Sequence, residues 1–250
     1  MSTSSQLPVG LSPPERMPKI ARVQPYLIGY GACISIISPS ISCYQLCKLY
    51  NRKIPPSQLF RTSLMIFPHQ TLLKVAQMNM STPVKEYLNP WAAFAAVGVL
   101  QGVVYGQANV HFTRAFKFVS PVPTLTIAAV FRGSGFAGFR DMISQGAPFV
   151  LSGSVRESVF EPVLGKNSEV AKWSAVISTS VAATVASQGM HNAQITMQAD
   201  QSLNYSETVK NLWKKNGVAT LWKGAEARVG LLLIVNLLNE LLLKPAWEGD

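Results

Sequence analysis

The stretch that decides the fold reads VFRGSGFAGFRDMISQGAPFVLSGSV and occupies residues 130–155. An aromatic residue, a base and a glycine come first, and a paired base and acid then lead into an apolar segment. The same triplet returns near the C-terminus, followed by an arginine, and a weaker copy at residues 60–62 lacks the glycine. The two clear copies consist of Phe131, Arg132 and Gly133, and of Trp222, Lys223 and Gly224 with Arg228. Three copies of one local pattern, each before an apolar segment, predict an internal repeat.

The composition indicates a membrane protein. Of the 250 residues, 48% are hydrophobic and only 14% are charged, a balance that is unusual for a soluble domain. Six apolar segments approach the roughly 20 residues that a helix needs to cross a bilayer. These segments are Pro25–Tyr44, Ser63–Met80, Trp91–Phe112, Met142–Val155, Val170–Ser187 and Val229–Leu243. The sequence therefore predicts an all-α protein with six transmembrane helices. The alternative is a soluble helical domain with six core helices.

The basic residues of the chain lie between the apolar segments. The formal net charge is +10, with clusters of bases at residues 48–53, 114–117 and 210–215. Bases beside the ends of membrane helices bind anionic lipid headgroups and set the orientation of the protein in the bilayer. Membrane lipids are therefore an expected partner, whereas nucleic acid is not, because no nucleic-acid-binding module is recognisable. The three cysteines show no zinc-ligand spacing, so no metal site is expected.

A surface helix completes the pattern around the last triplet. Residues Tyr205–Lys215 have helical periodicity with apolar and basic positions, and Asn216-Gly217 follows as a helix stop. The order of apolar helix, loop, surface helix, glycine turn, triplet and second apolar helix resembles a repeat of the mitochondrial carrier family. Residues 130–141 and 197–228 carry this resemblance, at family-like spacing.

The resemblance implies a fold, a location and a division of the chain. The fold is a barrel of six tilted helices in three pseudo-symmetric repeats, with short surface helices on the matrix side that contact lipid, including cardiolipin. The location is the mitochondrial inner membrane, with the outer membrane as the weaker alternative. The expected segments are a flexible N-terminal tail at residues 1–22, repeats at 23–90, 91–165 and 166–246, and a C-terminal tail at 247–250.

The transport motif of the family is where this sequence departs. Odd-numbered helices of carriers contain Pro-x-Asp/Glu-x-x-Lys/Arg, whose acid–base pairs close the matrix side of the cavity. The proline, acid and base positions correspond here to Pro39, Ile41 and Tyr44, to Gly106, Ala108 and His111, and to Gly189, His191 and Gln194. No Asp or Glu occurs at residues 16–85, 87–140 or 170–199. The three salt bridges of the family gate are therefore not expected to form.

The pair Arg140 and Asp141 favours transport. It begins seven residues after Gly133 and so matches a substrate-contact site of the family. There the arginine would bind a carboxylate and the acid an ammonium group. The alternative is that the pair contacts neighbouring helices and holds the bundle together. The same choice applies to His111 and His191, which would either relay protons or bind a neighbouring backbone.

Three functions stay open at this point. The leading hypothesis is a transport-degenerate protein that acts as a structural or accessory subunit, with other inner-membrane subunits as partners. The second is a working solute carrier with a non-standard gate, which exchanges amino-acid-like or carboxylate substrates. The third is a non-transport activity, such as protein insertion. An enzyme is not expected, because no catalytic constellation, cofactor site or phosphate-binding loop is recognisable.

Overall fold

The structure, a computed structural model, describes residues 13–89, 92, 95–96, 114, 126–166, 168–238 and 241. Its helices are α1 Pro13–Tyr50, α2 Pro56–Tyr87, α3 Ile127–Phe131, α4 Ser134–Asp141, α5 Ala147–Val155, α6 Glu161–Leu164, α7 Glu169–Ala199, α8 Tyr205–Asn216 and α9 Ala225–Leu238. Two π-helical turns, Met142–Gly146 and Arg156–Phe160, follow α4 and α5, and a 3₁₀ turn, Gly217–Leu221, precedes α9. This part of the chain has no strand, which agrees with the prediction of an all-α protein.

Helices α1 and α2 form an antiparallel pair. The turn between them begins at Asn51, whose φ is 56°, a left-handed conformation that asparagine tolerates better than most residues. Pro56 begins α2, a position where its missing N–H costs no hydrogen bond. Gln24 Nε2 donates to Asn79 Oδ1 over 2.7 Å. Because Gln24 lies near the start of α1 and Asn79 near the end of α2, the two helices run in opposite directions.

Most of the helices that follow α2 in the chain pack on helix α7. It contacts α4, α5, α8 and α9. Ser168 caps its N-terminus by accepting a hydrogen bond from the backbone N–H of Ala171. The first half of α7 buries small residues at four-residue intervals, namely Ala171, Ala175, Thr179 and Ala183. Small side chains on one face allow neighbouring helices to approach closely. The second half of α7 buries long polar side chains, such as Gln188 and Gln194, together with apolar residues.

Two apolar clusters hold α1 against later helices. The cluster near its end joins α1 to α7 and α8 and consists of Cys43, Leu46, Leu49, Ala193, Ile195 and Leu212. The cluster near its start consists of Val23, Leu27, Tyr30 and Ile34, with Val235 and Leu238 of α9 packed against them. Helix α1 is therefore fixed at both ends by helices from the C-terminal half of the chain.

The prediction of six transmembrane helices in three pseudo-symmetric repeats is wrong for this structure. Within the described ranges, one helical segment, Val23–Tyr50, is long and apolar enough to cross a membrane, with a mean hydropathy of 1.4. Its most apolar window is 41% buried. Core helices of soluble proteins pass the same test, so one such segment is weak evidence for a membrane span.

The second, fourth and fifth predicted spans do not pass this test, for separate reasons. The second, in α2, includes the polar residues His69, Gln70 and Lys74. The fourth, Met142–Val155, is shorter than a crossing requires and begins with a π-helical turn. The fifth, Val170–Ser187, lies in α7, which buries the polar residues Thr179, Ser180 and Thr184 in this segment. The sixth begins in α9, and its residues after 238 lie almost entirely outside the described part of the chain. The third, Trp91–Phe112, lies almost entirely outside the described residues.

The predicted surface helix is confirmed as a helix. Helix α8 is capped by a reciprocal pair of 2.9 Å hydrogen bonds between Asn204 and Glu207, which form a capping box. Its buried side contains Leu212, whereas Val209 and Trp213 are 50% and 55% exposed. The apolar residues of α8 are thus divided between the core and the outer surface. The location of α8 on a membrane stays a prediction, as do the repeat and tail boundaries.

The glycine of each clear triplet adopts a left-handed conformation. The φ angles are +73° at Gly133 and +82° at Gly224, a region that glycine enters without strain because it has no Cβ. Each turn leads directly into a helix, α4 at Ser134 and α9 at Ala225. The triplets thus share a local structure, which places Arg140 and Arg228 on the helices that follow.

Candidate functional site

Buried polar side chains connect four helices of the described chain. We call them the buried polar network: Gln45 of α1, Arg140 and Asp141 of α4, Ser187, Gln188, His191, Asn192 and Gln194 of α7, and Arg228 of α9. None of them is more than 7% exposed. Polar groups that lose contact with water need hydrogen-bond partners inside the protein. The partners in this network come from helices far apart in sequence, so it fixes their relative positions.

Arg140 and Asp141 form a buried ion pair with two contacts. Arg140 Nε donates to Asp141 Oδ1 over 2.7 Å, and Nη2 donates to Oδ2 over 2.5 Å. The remaining terminal nitrogen, Nη1, donates to Gln194 Oε1 over 2.6 Å. The edge of the guanidinium that would bind a substrate carboxylate is therefore occupied by Asp141. The predicted substrate-contact pair is an internal pair in this arrangement.

His191 connects Arg140 to α1. Its Nδ1 lies 3.0 Å from Arg140 Nη1, and its Nε2 lies 3.0 Å from Gln45 Oε1. Because arginine only donates, Nδ1 is the acceptor and Nε2 carries the proton. Burial, together with the positive charges of Arg228 and Arg140, lowers the pKa of His191 well below its ordinary value of 6.5. His191 is therefore neutral at physiological pH.

Arg228 forms the second centre of the network. Its Nη1 donates to Gln188 Oε1 over 3.1 Å and its Nη2 donates to Ser187 Oγ over 3.2 Å. Burial and the nearby charge of Arg140 lower the pKa of Arg228 to about 9, while Asp141 raises it. A pKa near 9 still leaves the guanidinium charged at neutral pH.

Two amides of α7 bind the turn that leads into α9. Gln188 Nε2 donates to the carbonyl oxygen of Lys223 over 2.9 Å, and Asn192 Nδ2 donates to that of Thr220 over 2.7 Å. These carbonyl groups lie before the start of α9, so the regular hydrogen bonds of that helix do not include them. Gln188 and Asn192 thus fix the start of α9, which carries Arg228.

The first triplet has a structural role. Arg132 Nε donates to the carbonyl oxygen of Met197 over 3.1 Å, and Nη2 donates to that of Leu203. Nearby, the backbone N–H of Gly135 donates to Tyr205 Oη over 3.2 Å. These contacts hold the start of α4 against the end of α7 and the start of α8.

In the second triplet, Lys223 Nζ donates to Asn216 Oδ1 over 3.3 Å. The aromatic members, Phe131 and Trp222, are 42% and 51% exposed.

The structure brings together only part of the predicted gate. His191 and Gln194 meet Arg140, as described above. Tyr44 is 43% exposed and donates to Glu226 Oε1 over 3.3 Å. Pro39 and Ile41 lie inside α1, and Gly189 lies inside α7 beside Leu221. The second-repeat positions Gly106, Ala108 and His111 lie outside the described residues.

Sequence reasoning missed four members of the network, Gln45, Ser187, Gln188 and Asn192. A signal was present on α7, where buried polar residues recur at intervals of three or four, the spacing of one helix face. These residues are Ser180, Thr184, Ser187, His191, Gln194 and Gln198.

Within the described residues, no group of three or more His, Cys, Asp or Glu side chains is arranged to hold a metal ion.

Comparison with known proteins does not identify a family. No protein-family model matches the chain, and no curated protein is significantly similar to it. The resemblance to the mitochondrial carrier family therefore depends on the sequence motifs alone and stays a prediction.

The neutral state of His191 predicts a stability that depends on pH. In the unfolded chain His191 binds a proton near pH 6.5, whereas in the folded protein burial, together with the charges of Arg228 and Arg140, opposes protonation. The stabilisation is therefore complete above pH 6.5 and is lost as the pH falls below it. We expect the free energy of unfolding to decrease by about 1 kcal/mol between pH 6.5 and 5.5. Urea unfolding at each pH measures this slope, and His191→Gln should reduce it. An unchanged slope in the variant would refute the assignment.

Proposed function

We propose that this protein is a structural or accessory subunit of a larger membrane assembly and does not exchange solutes. The observation that carries the proposal is that all three guanidinium nitrogens of Arg140 have internal partners: Nε and Nη2 contact Asp141, and Nη1 contacts both Gln194 and His191. The proposed location, the mitochondrial inner membrane, follows from the sequence resemblance alone.

A transporter needs contacts that form and break between two states. Here the charged partners, Arg140 and Asp141, are adjacent on one helix, so no movement between helices separates them. The contacts that do join helices pass through the amides of Gln45 and Gln194 and the ring of His191. Opening the network would leave Arg140 and Asp141 in contact and deprive several buried amides of partners, which is costly. This arrangement favours one fixed packing of the helices.

Exposed apolar surfaces support the proposal of partners. A groove of about 330 Å³ lies between α1 and α2. Around it, Ile36, Phe60 and Leu64 are 63%, 72% and 64% exposed. Contiguous exposed apolar side chains of this size are typical of surfaces that contact other proteins or lipid. Either contact is compatible with a subunit of a membrane assembly.

The outer face of α8 supports contact with membrane lipids. Tyr205, Val209 and Trp213 are spaced four residues apart and are 45%, 50% and 55% exposed. Lys210 and Lys214, both exposed, follow Val209 and Trp213 directly. An apolar stripe flanked by lysines is typical of a helix on an anionic bilayer surface, and cardiolipin is one anionic lipid that it would accept.

Transport by reconstituted liposomes tests the proposal. We expect the wild-type protein to show no exchange of labelled amino acids or carboxylates above protein-free liposomes. The variant Arg140→Ala should show the same absence of flux together with a lower thermal midpoint. Exchange that depends on Arg140 would overturn the proposal.

Such exchange would favour the alternative, a solute carrier with a non-standard gate. Two observations support that alternative. Arg140 and Asp141 occupy the sequence position of a substrate-contact site in the carrier family. Arg140 also contacts His191 and Gln194, which correspond to the acid and base positions of the family's transport motif. Its substrates would be amino-acid-like or carboxylate compounds.

A further inference from the structure

We propose that Arg228 belongs to a binding site for a small oxyanion, a carboxylate or phosphate group, that completes the buried polar network. This inference goes beyond the proposed function, because an accessory subunit would keep the anion as a structural ligand without moving it across a membrane.

The network contains more positive than negative charge. Arg140 and Arg228 are both buried, and Asp141 is the carboxylate that the structure places with them. His191 is neutral, as its hydrogen bonds require. One positive charge is therefore left without a counter-charge in the described part of the chain. A buried charge in this situation is costly, and an anion would offset that cost.

The other acidic residues with described surroundings lie elsewhere. Glu161 pairs with Arg156, Glu169 with Lys172 and Glu226 with Lys48, Glu207 caps α8, Asp200 accepts from Ser202, and Glu157 is exposed. Glu15 and Glu86 stand at the other end of the α1–α2 pair from Gln45. At 1.5 Å per helical residue, the 30 residues of α1 between Glu15 and Gln45 put that end roughly 45 Å away.

Within the described chain, Arg228 has more N–H groups than hydrogen-bond partners. Its guanidinium carries five N–H groups, and its two partners in the described chain, Gln188 Oε1 and Ser187 Oγ, are both neutral. A planar guanidinium binds two oxygens of a carboxylate or phosphate at once, which favours an oxyanion over a spherical ion. Since Arg228 is only 7% exposed, the anion must be small.

Thermal unfolding of the purified full-length protein tests the site. The probes are sodium acetate and sodium phosphate, titrated at constant ionic strength against sodium chloride. We expect one of the oxyanions to raise the midpoint with a saturating dependence, by about 5–10 °C at roughly 100 times its dissociation constant. Arg228→Gln should abolish the increase. The matched control Arg132→Gln should retain it, because Arg132 is engaged with the carbonyl oxygens of Met197 and Leu203.

If Arg228→Gln does not fold, Arg228→Lys replaces it in the test. Lysine keeps the charge but loses the planar fork, so saturation should require a higher oxyanion concentration. The inference is overturned if neither oxyanion gives a saturating increase, if chloride gives the same increase, or if the Arg228 variants respond like the wild type. A negative result here leaves the proposed function untouched, since that is judged by flux.

Discussion

Replacing Asp141 by asparagine should lower the free energy of unfolding by about 3–5 kcal/mol. The side chain of Asp141 is 5% exposed and that of Arg140 is 6% exposed, so water cannot replace the lost charge. Asparagine keeps the shape of the side chain but leaves Arg140 buried without a counter-charge, beside a network that already includes Arg228. Chemical unfolding of the purified protein in detergent would measure the change.

The control for this prediction is Glu157→Gln. It makes the same chemical change at an exposed carboxylate, where substitutions usually alter stability by less than about 0.5 kcal/mol. Should Asp141→Asn prove no more damaging than Glu157→Gln, the buried pair would not hold the helices together, and the structural role assigned to it would be wrong.

The substitution Ile195→Ala should cost about 2–5 kcal/mol, the range for truncating a large apolar side chain in a packed core. Ile195 is 1% exposed and belongs to the cluster that joins α7 to the end of α1. This cluster includes Leu46, next to Gln45 of the network, so its loss should also loosen the contact between Gln45 and His191. The thermal midpoint and the unfolding free energy both report the effect.

Ile177→Ala is the matched control, because Ile177 lies on the same helix but is 42% exposed. Its truncation should cost much less than that of Ile195. Equal costs at the two positions would mean that the buried face of α7 has been assigned incorrectly, and with it the position of His191 and Gln194.

The elements that depend on local sequence were predictable. Helix α8 could be predicted from the periodicity of residues 205–215, and the structure adds a cap at Asn204. The triplet glycines, Gly133 and Gly224, mark turns because only glycine adopts their φ angles without strain. Both features need no information from distant parts of the chain.

The transmembrane prediction failed because apolar content alone does not separate a membrane helix from a helix packed in a core. The segment Val170–Ser187 looked like a span, yet α7 buries Thr179, Ser180 and Thr184. The side chains of Thr179 and Thr184 donate to carbonyl groups of their own helix, at Ala175 and Ser180. Such local bonds allow polar residues to be buried in an apolar surrounding.

The candidate site was only partly predictable. Arg140, His191 and Gln194 could be selected from their motif positions, but the sequence does not indicate that they meet. Gln45 lies 146 residues from its partner His191, and no short-range pattern connects positions so far apart. The network depends on the packing of α1 and α9 against other helices, which periodicity does not determine.

The native mass of the protein, extracted from its own membranes in mild detergent, tests the central claim most directly. A structural or accessory subunit should co-migrate with an assembly much larger than the single 27.2 kDa chain. Dissociation of that assembly by stronger detergent should release the chain at its own mass. A chain that migrates as a free monomer in mild detergent from the start would contradict the account.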